Sequence, residues 1–534
     1  MLNQPNILWI SLEDTSPRFG CYGDEIARTP NLDKLAAQSC RFPNAFSVAG
    51  VCAPSRSAII TGMYPTAIGT HHMRTTHTNE DAPGLPTPYA AVPPPYVKTF
   101  TEYLRVAGYF CTNNAKTDYQ FPTPITAWDE CHPDAHWRNR IRKDQPFFAV
   151  FNPTGTHESG MWEKEDSQPV KTDPTAIKLP PYLPDTPKSR RALARHYDNL
   201  EVSDQIVGNL LQQLDEDGLT DNTIVMIWSD HGEGLPRAKR WPYDAGIRIP
   251  LIVRYPGSLE PDSVNEQLVS LIDLGPTVLS LAGIPLPTHM HGQPFLGSHK
   301  VERQYAYATR DRYDESYDMV RAVRDRRFKY IRNYYPNKER LVWVPYRNRH
   351  PIMQELWRLK AEDKLEGHQK VMFQKRLPEE LYDTATDPHE LNNLVQNPDF
   401  IDQLSKMRQE MEKWQAKYDK MGQIPEEIMV RQWYPEGKQQ QTAKPVMIPI
   451  APHSDHHPGQ SATDVGGTYD VPILVQLNCS TQGASIAYQI KDSNHWNLYT
   501  EPIRLTSGTT TIRTKAIRIG YKESGEQIAT FTIS

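Results

Sequence analysis

The sequence predicts an α/β protein: a large mixed sheet flanked by helices on both faces, a smaller antiparallel-sheet subdomain, and a C-terminal β-sandwich. Three observations point there. The runs Asn6–Leu12 (NILWISL), Phe147–Phe151 (FFAVF) and Thr223–Trp228 (TIVMIW) are apolar throughout rather than alternating, which suits strands of a parallel sheet covered on both faces. Amphipathic stretches lie between them, the longest being Ser189–Asp217 with Leu193, Tyr197, Leu200, Val207, Leu210, Leu211 and Leu214 at helical spacing. Past Gly297 the pattern changes to short alternating segments, and it alternates again from about residue 469 to the end.

Length agrees with several units. At 534 residues the chain exceeds what one hydrophobic core organises. The expected division is a main α/β core over 1–300, a smaller subdomain over 301–430, a polar Gln- and Pro-containing linker over 431–461 and a β-sandwich over 462–534. Hydrophobic content of 38% with 11 Trp, 26 Tyr and 14 Phe supplies a large core, and 46 Pro imply many shaped loops. A formal net charge of −5 argues against general nucleic-acid binding. Cys21, Cys40, Cys52, Cys111, Cys131 and Cys479 show neither metal-ligand nor disulfide-framework spacing. No apolar run approaches the roughly 20 residues of a membrane span, and the chain opens directly into a strand without a signal peptide.

The stretch Val51-Cys52-Ala53-Pro54-Ser55-Arg56-Ser57-Ala58-Ile59-Ile60-Thr61-Gly62 has the form of a reactive residue at a helix N-terminus. Backbone amides and the positive dipole end there favour an anion. Arg56 adds a planar, permanently charged donor fork. The first apolar run ends in Glu13-Asp14, and the run at 223–228 ends in Ser229-Asp230-His231. Two such strand ends can converge on one cation from either side of a crevice, because ligands gather beyond the carboxyl ends of parallel strands. Predominantly oxygen ligands suit calcium or magnesium, while His231 is more typical of transition-metal sites.

The C-x-P-S-R segment followed by a helix and Thr-Gly resembles the signature of the formylglycine-dependent sulfatases of the alkaline-phosphatase superfamily. The acid pair, Cys21-Tyr22-Gly23 and the order of the remaining motifs extend that resemblance. It implies an alkaline-phosphatase-like sulfatase fold and a bacterial polysaccharide sulfatase. It also implies that Cys52 is oxidised to formylglycine by a maturation enzyme, with Glu13, Asp14, Cys52, Asp230 and His231 around a divalent cation, Ca2+ or alternatively Mg2+. Glu13 stands where Asp is more usual. Gly108-Tyr109-Phe110-Cys111-Thr112-Asn113-Asn114-Ala115-Lys116 resembles the family segment whose lysine touches the sulfate, placing Lys116 in that role. The family's Trp and His after it are replaced by Thr117 and Asp118, so the base that completes turnover is open between Asp118, His71 and His72. His157, in the loop after Phe147–Phe151, falls where the family places the proton donor to the leaving group. Lys239 in Arg237-Ala238-Lys239-Arg240 aligns with a second sulfate-binding lysine.

Glu380-Leu381-Tyr382-Asp383 with Asp387-Pro388-His389-Glu390 resembles the closing motif of the sulfatase C-terminal subdomain. Arg310, Asp311, Arg312 and Asp314 lie where such enzymes select the sugar, or form a solvated charged turn. The last segment, with Gly483-Ala484-Ser485-Ile486-Ala487-Tyr488 and Gly520-Tyr521, resembles the C-terminal β-sandwich of chitobiase-type glycosidases. The expected activity is hydrolysis of sulfate monoesters on a sulfated carbohydrate, with a periplasmic or secreted location and the cytoplasm as the alternative. Two other readings remain at this level. One is a phosphate mono- or diester hydrolase of the same superfamily, whose specialists usually recruit two metals; the other is a sulfated-glycan binding protein without turnover.

Overall fold

The first strand, Asn6–Leu12, runs through the middle of an eight-stranded mixed sheet and is buried at every position. Ile7 and Trp9 project into one apolar cluster while Leu8, Ile10 and Leu12 project into another. That explains its unbroken hydrophobicity, since successive side chains point to opposite faces and both faces are covered. Helices Phe100–Val106 and Leu274–Leu281 pack on one side; Pro30–Ala36 and the 30-residue helix Pro187–Glu216 pack on the other. The computed structural model describes residues 4–163, 168–451, 462–490, 493 and 495–534.

Sheet order runs Glu130–Cys131, Phe110–Asn114, Phe147–Phe151, Asn6–Leu12, Thr223–Ser229, Leu251–Arg254, Cys40–Arg41, Ser263–Val264. The first five strands are mutually parallel; Leu251–Arg254 is antiparallel to its neighbours Thr223–Ser229 and Cys40–Arg41. The carboxyl ends of four adjacent long strands therefore open on one edge of the sheet.

A second sheet of four antiparallel strands follows, Ala306–Arg310, Val320–Arg324, Phe328–Asn333 and Glu379–Asp383. Helix Ile401–Tyr418 covers it through Leu404, Met407, Met411 and Trp414, which meet Val323, Tyr330 and Leu381. The C-terminal strands form two sheets, one of three strands and one of five, around Met447, Val475, Ile512 and Phe531.

The chain between subdomain and sandwich differs from a plain linker. Glu426–Trp433 is a helix, and Val446–Ile450 is a strand paired with Ile473–Asn478. Pro449 weakens the strand signal of that segment, but the strand lies at a sheet edge, where a missing N–H is tolerated. Residues 452–461 of the expected linker lie outside the described residues. The sandwich is seated on the main core: Ile519 belongs to the cluster of Trp9 and Phe100, and Lys98 Nζ donates to Gly483 O at 2.8 Å and Ser485 Oγ at 2.7 Å. At Gly520, φ is +84° and an added Cβ would lie 2.4 Å from Ala91 O, so a side chain there is excluded twice over.

Candidate active site

The register of the central strands builds the site. Leu12 pairs with Ser229, so Glu13-Asp14 and Asp230-His231 leave the sheet side by side. Asp230 N donates to Leu12 O at 3.3 Å, and Asp14 N to Asp230 Oδ1 at 3.3 Å. Asp14 adopts φ +47°, an uncommon value for a non-glycine residue that turns its carboxylate back over the strand ends. On the other flank, Ile10 pairs with Phe151, which brings Asn152 and the His157-Glu158 turn to the same edge. The next strand, Phe110–Asn114, delivers Lys116.

Above these ends lies helix Cys52–Thr61, buried along its whole length, with Cys52 its first residue. Ser55 Oγ donates to Asp230 O at 2.6 Å. Arg56 reaches Asp230 Oδ2 at 3.0 Å through Nε, Asn152 Oδ1 at 2.8 Å through Nη1 and Ser11 Oγ at 3.3 Å through Nη2. The Cys52 Sγ stands 3.4 Å from His231 Nε2 and 4.0 Å from Asp14 Oδ1.

Opposite charges interleave around that sulfur. Lys239 Nζ lies 2.6 Å from Asp14 Oδ2, 3.1 Å from Glu158 Oε1 and 3.3 Å from His157 Nε2. Lys116 pairs with Glu13 and lies 3.8 Å from Asp118. Burial raises the Asp14 and Asp230 carboxyls, but the cations beside them, Lys239 at Asp14 and Arg56 at Asp230, hold both below the carboxylate range. Burial disfavours His231 as a cation, yet Asp230, Asp14 and Cys52 together push it up to about 10. Burial likewise raises the Cys52 thiol; Lys239, Lys116 and His231 outweigh it and bring the net value below the ordinary one.

The donor set fits a hard cation. Glu13, Asp14 and Asp230 are at most 1% exposed. Ligand atoms of Asp14, Cys52 and His231 lie within 4.8 Å of one another, as do those of Glu13, Cys52 and Asp230. Buried carboxylates this close repel unless positive charge stands among them. His157 is also within such a group, with Asp14 and Glu158.

The structure thus brings Glu13, Asp14, Cys52, Arg56, Lys116, His157, Asp230, His231 and Lys239 together, with Asp118 lining the same cleft of about 330 Å³. Four expectations need correction. His71 and His72 are buried, burial lowers both far from protonation at neutral pH, and neither lines the cleft. Arg310 and Arg312 do not line it either. Arg310 pairs with Asp318 and lies 3.9 Å over the Trp241 ring, while Arg312 makes a two-pronged pair with Glu426 at 2.6 Å on each arm. Both guanidiniums are taken up inside the protein, so the turn is neither solvated nor sugar-facing at those positions.

Sequence reasoning missed Glu158, which bridges Lys239 and Arg240 while its N–H donates to Asp14 Oδ2 at 2.6 Å. Its only signal was adjacency to His157. Asn152, the strand-end partner of Arg56, was visible as the first polar residue after FFAVF. Arg74, Gln120, Arg240 and Tyr346 also line the cleft, and nothing local in the sequence marks them.

Strand-end pairs on two parallel neighbours, Glu13-Asp14 and Asp230-His231, face a buried cysteine at a helix start, which defines the crevice of an ester hydrolase with an alkaline-phosphatase-like fold. Comparison with known proteins narrows this. The sulfatase family model matches residues 5–125 and 135–284, and the chain belongs to that family of sulfuric ester hydrolases. A model described as N-sulphoglucosamine sulphohydrolase, C-terminal, matches 232–348, and one for the chitobiase/beta-hexosaminidase C-terminal domain matches 465–530. An ulvan-active sulfatase of Formosa agariphila is 41% identical over 98% of this chain and 90% of its own length. The human N-sulphoglucosamine sulphohydrolase is 28% identical over 77% of this chain and 89% of its own. Among solved structures, a 2-O GAG sulfatase superposes with a TM-score of 0.58 at 18% identity, covering 78% of this chain and 93% of that one. No helix among the described residues is long and apolar enough to cross a membrane.

Proposed function

We infer that this hydrolase removes sulfate from a carbohydrate, taking the ester into the cleft around residue 52. The observation that carries the reading is the convergence of Lys116, Lys239, Arg56 and His157 on Cys52, in a pocket whose acids are already paired or fit to hold a cation. The names of the two relatives, one acting on ulvan and one an N-sulphoglucosamine sulphohydrolase, support a sugar as the alcohol.

Glu13, Asp14, Asp230 and His231 would hold the divalent cation, and the oxygen-rich set favours Ca2+, with Mg2+ as the alternative. Bound there, the cation supplies Lewis-acid polarisation of the sulfate oxygens. Formylglycine at position 52, formed from the cysteine by a maturation enzyme, would in its hydrated form supply one hydroxyl as nucleophile and a second whose deprotonation releases sulfate by elimination. The remaining work belongs to this chain's other side chains. Lys116 and Lys239 keep their protons, since neighbouring anions hold both ammonium groups well above the ordinary range despite burial. They orient the sulfate and stabilise charge that builds on its oxygens.

Arg56, locked by Asp230 and Asn152, fixes the helix start that carries residue 52. His157 is the proton donor to the departing sugar oxygen. Burial and Lys239 oppose its protonation, while Asp14 and the Cys52 thiol raise it above the ordinary histidine value. Asp118, 34% exposed and at the cleft wall, is the candidate base to complete turnover that this reading favours over the buried His71 and His72.

The test is free sulfate released from defined sulfated oligosaccharides by the mature chain and by Cys52→Ala. Release by the former and a loss of about four orders of magnitude or more in the latter is expected. Equal release by both would remove residue 52 from the chemistry.

A further inference from the structure

Among the residues lining the cleft, Arg74 stands apart from the machinery that surrounds the sulfur. Its guanidinium lies 4.2 Å over the Tyr346 ring, and its Nε is 2.9 Å from Asp314 Oδ1. Asp314 is already engaged by Arg240, whose Nε donates to its other oxygen at 2.6 Å. Two guanidiniums therefore share one carboxylate, and Arg240 also donates to Glu158. Among the described residues, no hydrogen bond is donated by the Arg74 guanidinium, and Asp314 Oδ1 accepts none. A guanidinium whose carbon lies over a ring, with Nε facing Asp314 and both Nη groups left as donors, can receive a carboxylate or sulfate on two parallel hydrogen bonds.

The backbone is built to hold it there. Arg74 sits at φ +57°, a conformation a long side chain adopts only when its surroundings enforce it. Met73 on one side is clamped at both ends by Arg312: its N–H donates to Arg312 O, and its O accepts from Arg312 Nη1, each at 2.9 Å. Thr75 on the other side accepts from Tyr89 N at 2.6 Å, and its hydroxyl donates to Gln120 Oε1 at 3.3 Å. Arg312 is itself fixed by Glu426. The arginine expected from sequence to touch the sugar thus acts one step back, as a positioning residue for the segment that presents Arg74.

We propose that Arg74, stacked on Tyr346, is a specificity-determining residue that binds a second anionic group of the substrate, a carboxylate or second sulfate on the sugar carrying the scissile ester or on its neighbour. Lys116, Lys239 and Arg56 are committed beside Cys52, so this is a separate anion position in the same cleft, and the substrate class becomes a polyanionic glycan rather than a lone sulfate ester. Tyr346 comes from the short helix Pro345–Asn348, in the excursion between strands Phe328–Asn333 and Glu379–Asp383, so the antiparallel subdomain supplies half of the recognition pair. The inference rests on the desulfation reading for its assay, and the experiment separates the two.

Arg74→Gln and Arg74→Lys are compared with the parent on four substrates. These are 4-nitrophenyl sulfate, a monosulfated disaccharide bearing a uronate, the same disaccharide with its carboxyl reduced to an alcohol, and a disulfated disaccharide without a uronate. Arg74→Gln should raise KM for the uronate or the disulfated substrate by about tenfold or more, leaving the aryl sulfate and the reduced disaccharide within about twofold. Which of the two anionic substrates responds identifies the anion. Arg74→Lys should recover part of the loss, because the charge remains and the fork does not. Equal loss on all four substrates, or none on any, overturns the proposal. Should the parent release sulfate from none of them, the desulfation reading fails on its own. Calorimetric binding of the uronate disaccharide to the Cys52→Ala protein, with and without Arg74→Gln, then decides the anion site directly: unchanged affinity contradicts it.

Discussion

Around Cys52 the chain buries Glu13, Asp14, Arg56, Glu158, Asp230, Lys239 and Arg240, each at most 4% exposed, against one another. The C-terminal sandwich instead buries Val475, Ile512, Ala529 and Phe531, and its last strand, Gln527–Ile533, alternates buried and open positions almost without exception. The sandwich gains stability from apolar area with few charges to desolvate. The cleft gathers charges whose desolvation is costly and only partly offset by pairing, which is weak design for stability and strong design for acting on an anion. Changes in the first region should therefore strike turnover with modest effect on folding, and changes in the second should do the reverse.

Removing divalent cations sharpens that contrast most. Dialysis against EDTA should lower sulfate release by about two orders of magnitude or more, with recovery on adding Ca2+, while the unfolding of the sandwich is unaffected. Activity that survives exhaustive chelation would break the account of the acid cluster. Lys239→Ala comes next. It withdraws a cation from Asp14, Glu158 and the sulfate position together, and kcat/KM should fall by roughly 10²–10³ with little loss of soluble protein.

A change at the docked sandwich tests the other side. Gly520→Val places a Cβ against Ala91 O and Val92 and forces a β-branched residue into φ +84°. A destabilisation of about 2 kcal/mol or more is expected, read as a lower Tm, with KM for a small aryl sulfate unchanged. An unaltered Tm would mean the interface carries no stability.

The smallest effect concerns Asp311, whose carboxyl is raised by burial, and further by Asp419, to about 7 although Arg321 opposes it. The folded state then holds a proton that the unfolded chain, titrating near 3.9, releases earlier. Stability from this group is complete below about pH 4 and declines as pH rises to about 7. Asp311→Asn, which can still accept from Arg321, should flatten that decline in a Tm profile between pH 5 and 8; a parallel profile would remove Asp311 as its source.

The same division decides what the sequence made legible. Glu13-Asp14 and Asp230-His231 could be read because each pair sits at the end of a continuous apolar strand, and strand order and register then bring the ends together without further information. Cys52 and Arg56 are one helical turn apart, so their relation is local. Strands Ile473–Asn478, Ser485–Ile490, Gly508–Ile517 and Gln527–Ile533 were readable from alternation, and the sandwich they form from the chitobiase-type resemblance; Val446–Ile450 was not, because its strand character depends on an edge position that Pro449 disguises. Glu158, Arg74 and Tyr346 are set by loop paths and by which buried partner each neighbour finds, and these are not encoded in spacing. Arg310 and Arg312 show the limit most plainly: charge on a turn says nothing about direction, and Asp318 and Glu426, which claim them, are 8 and 114 residues away in sequence.

Residue 52, amid those charges, is the proposed site of conversion to an aldehyde. Mass spectrometry of the peptide containing residue 52, taken from a preparation assayed for sulfate release in parallel, tests this most directly. Formylglycine in a fraction that scales with activity is the predicted result. A wholly unmodified cysteine in a preparation that turns over at full rate would contradict it.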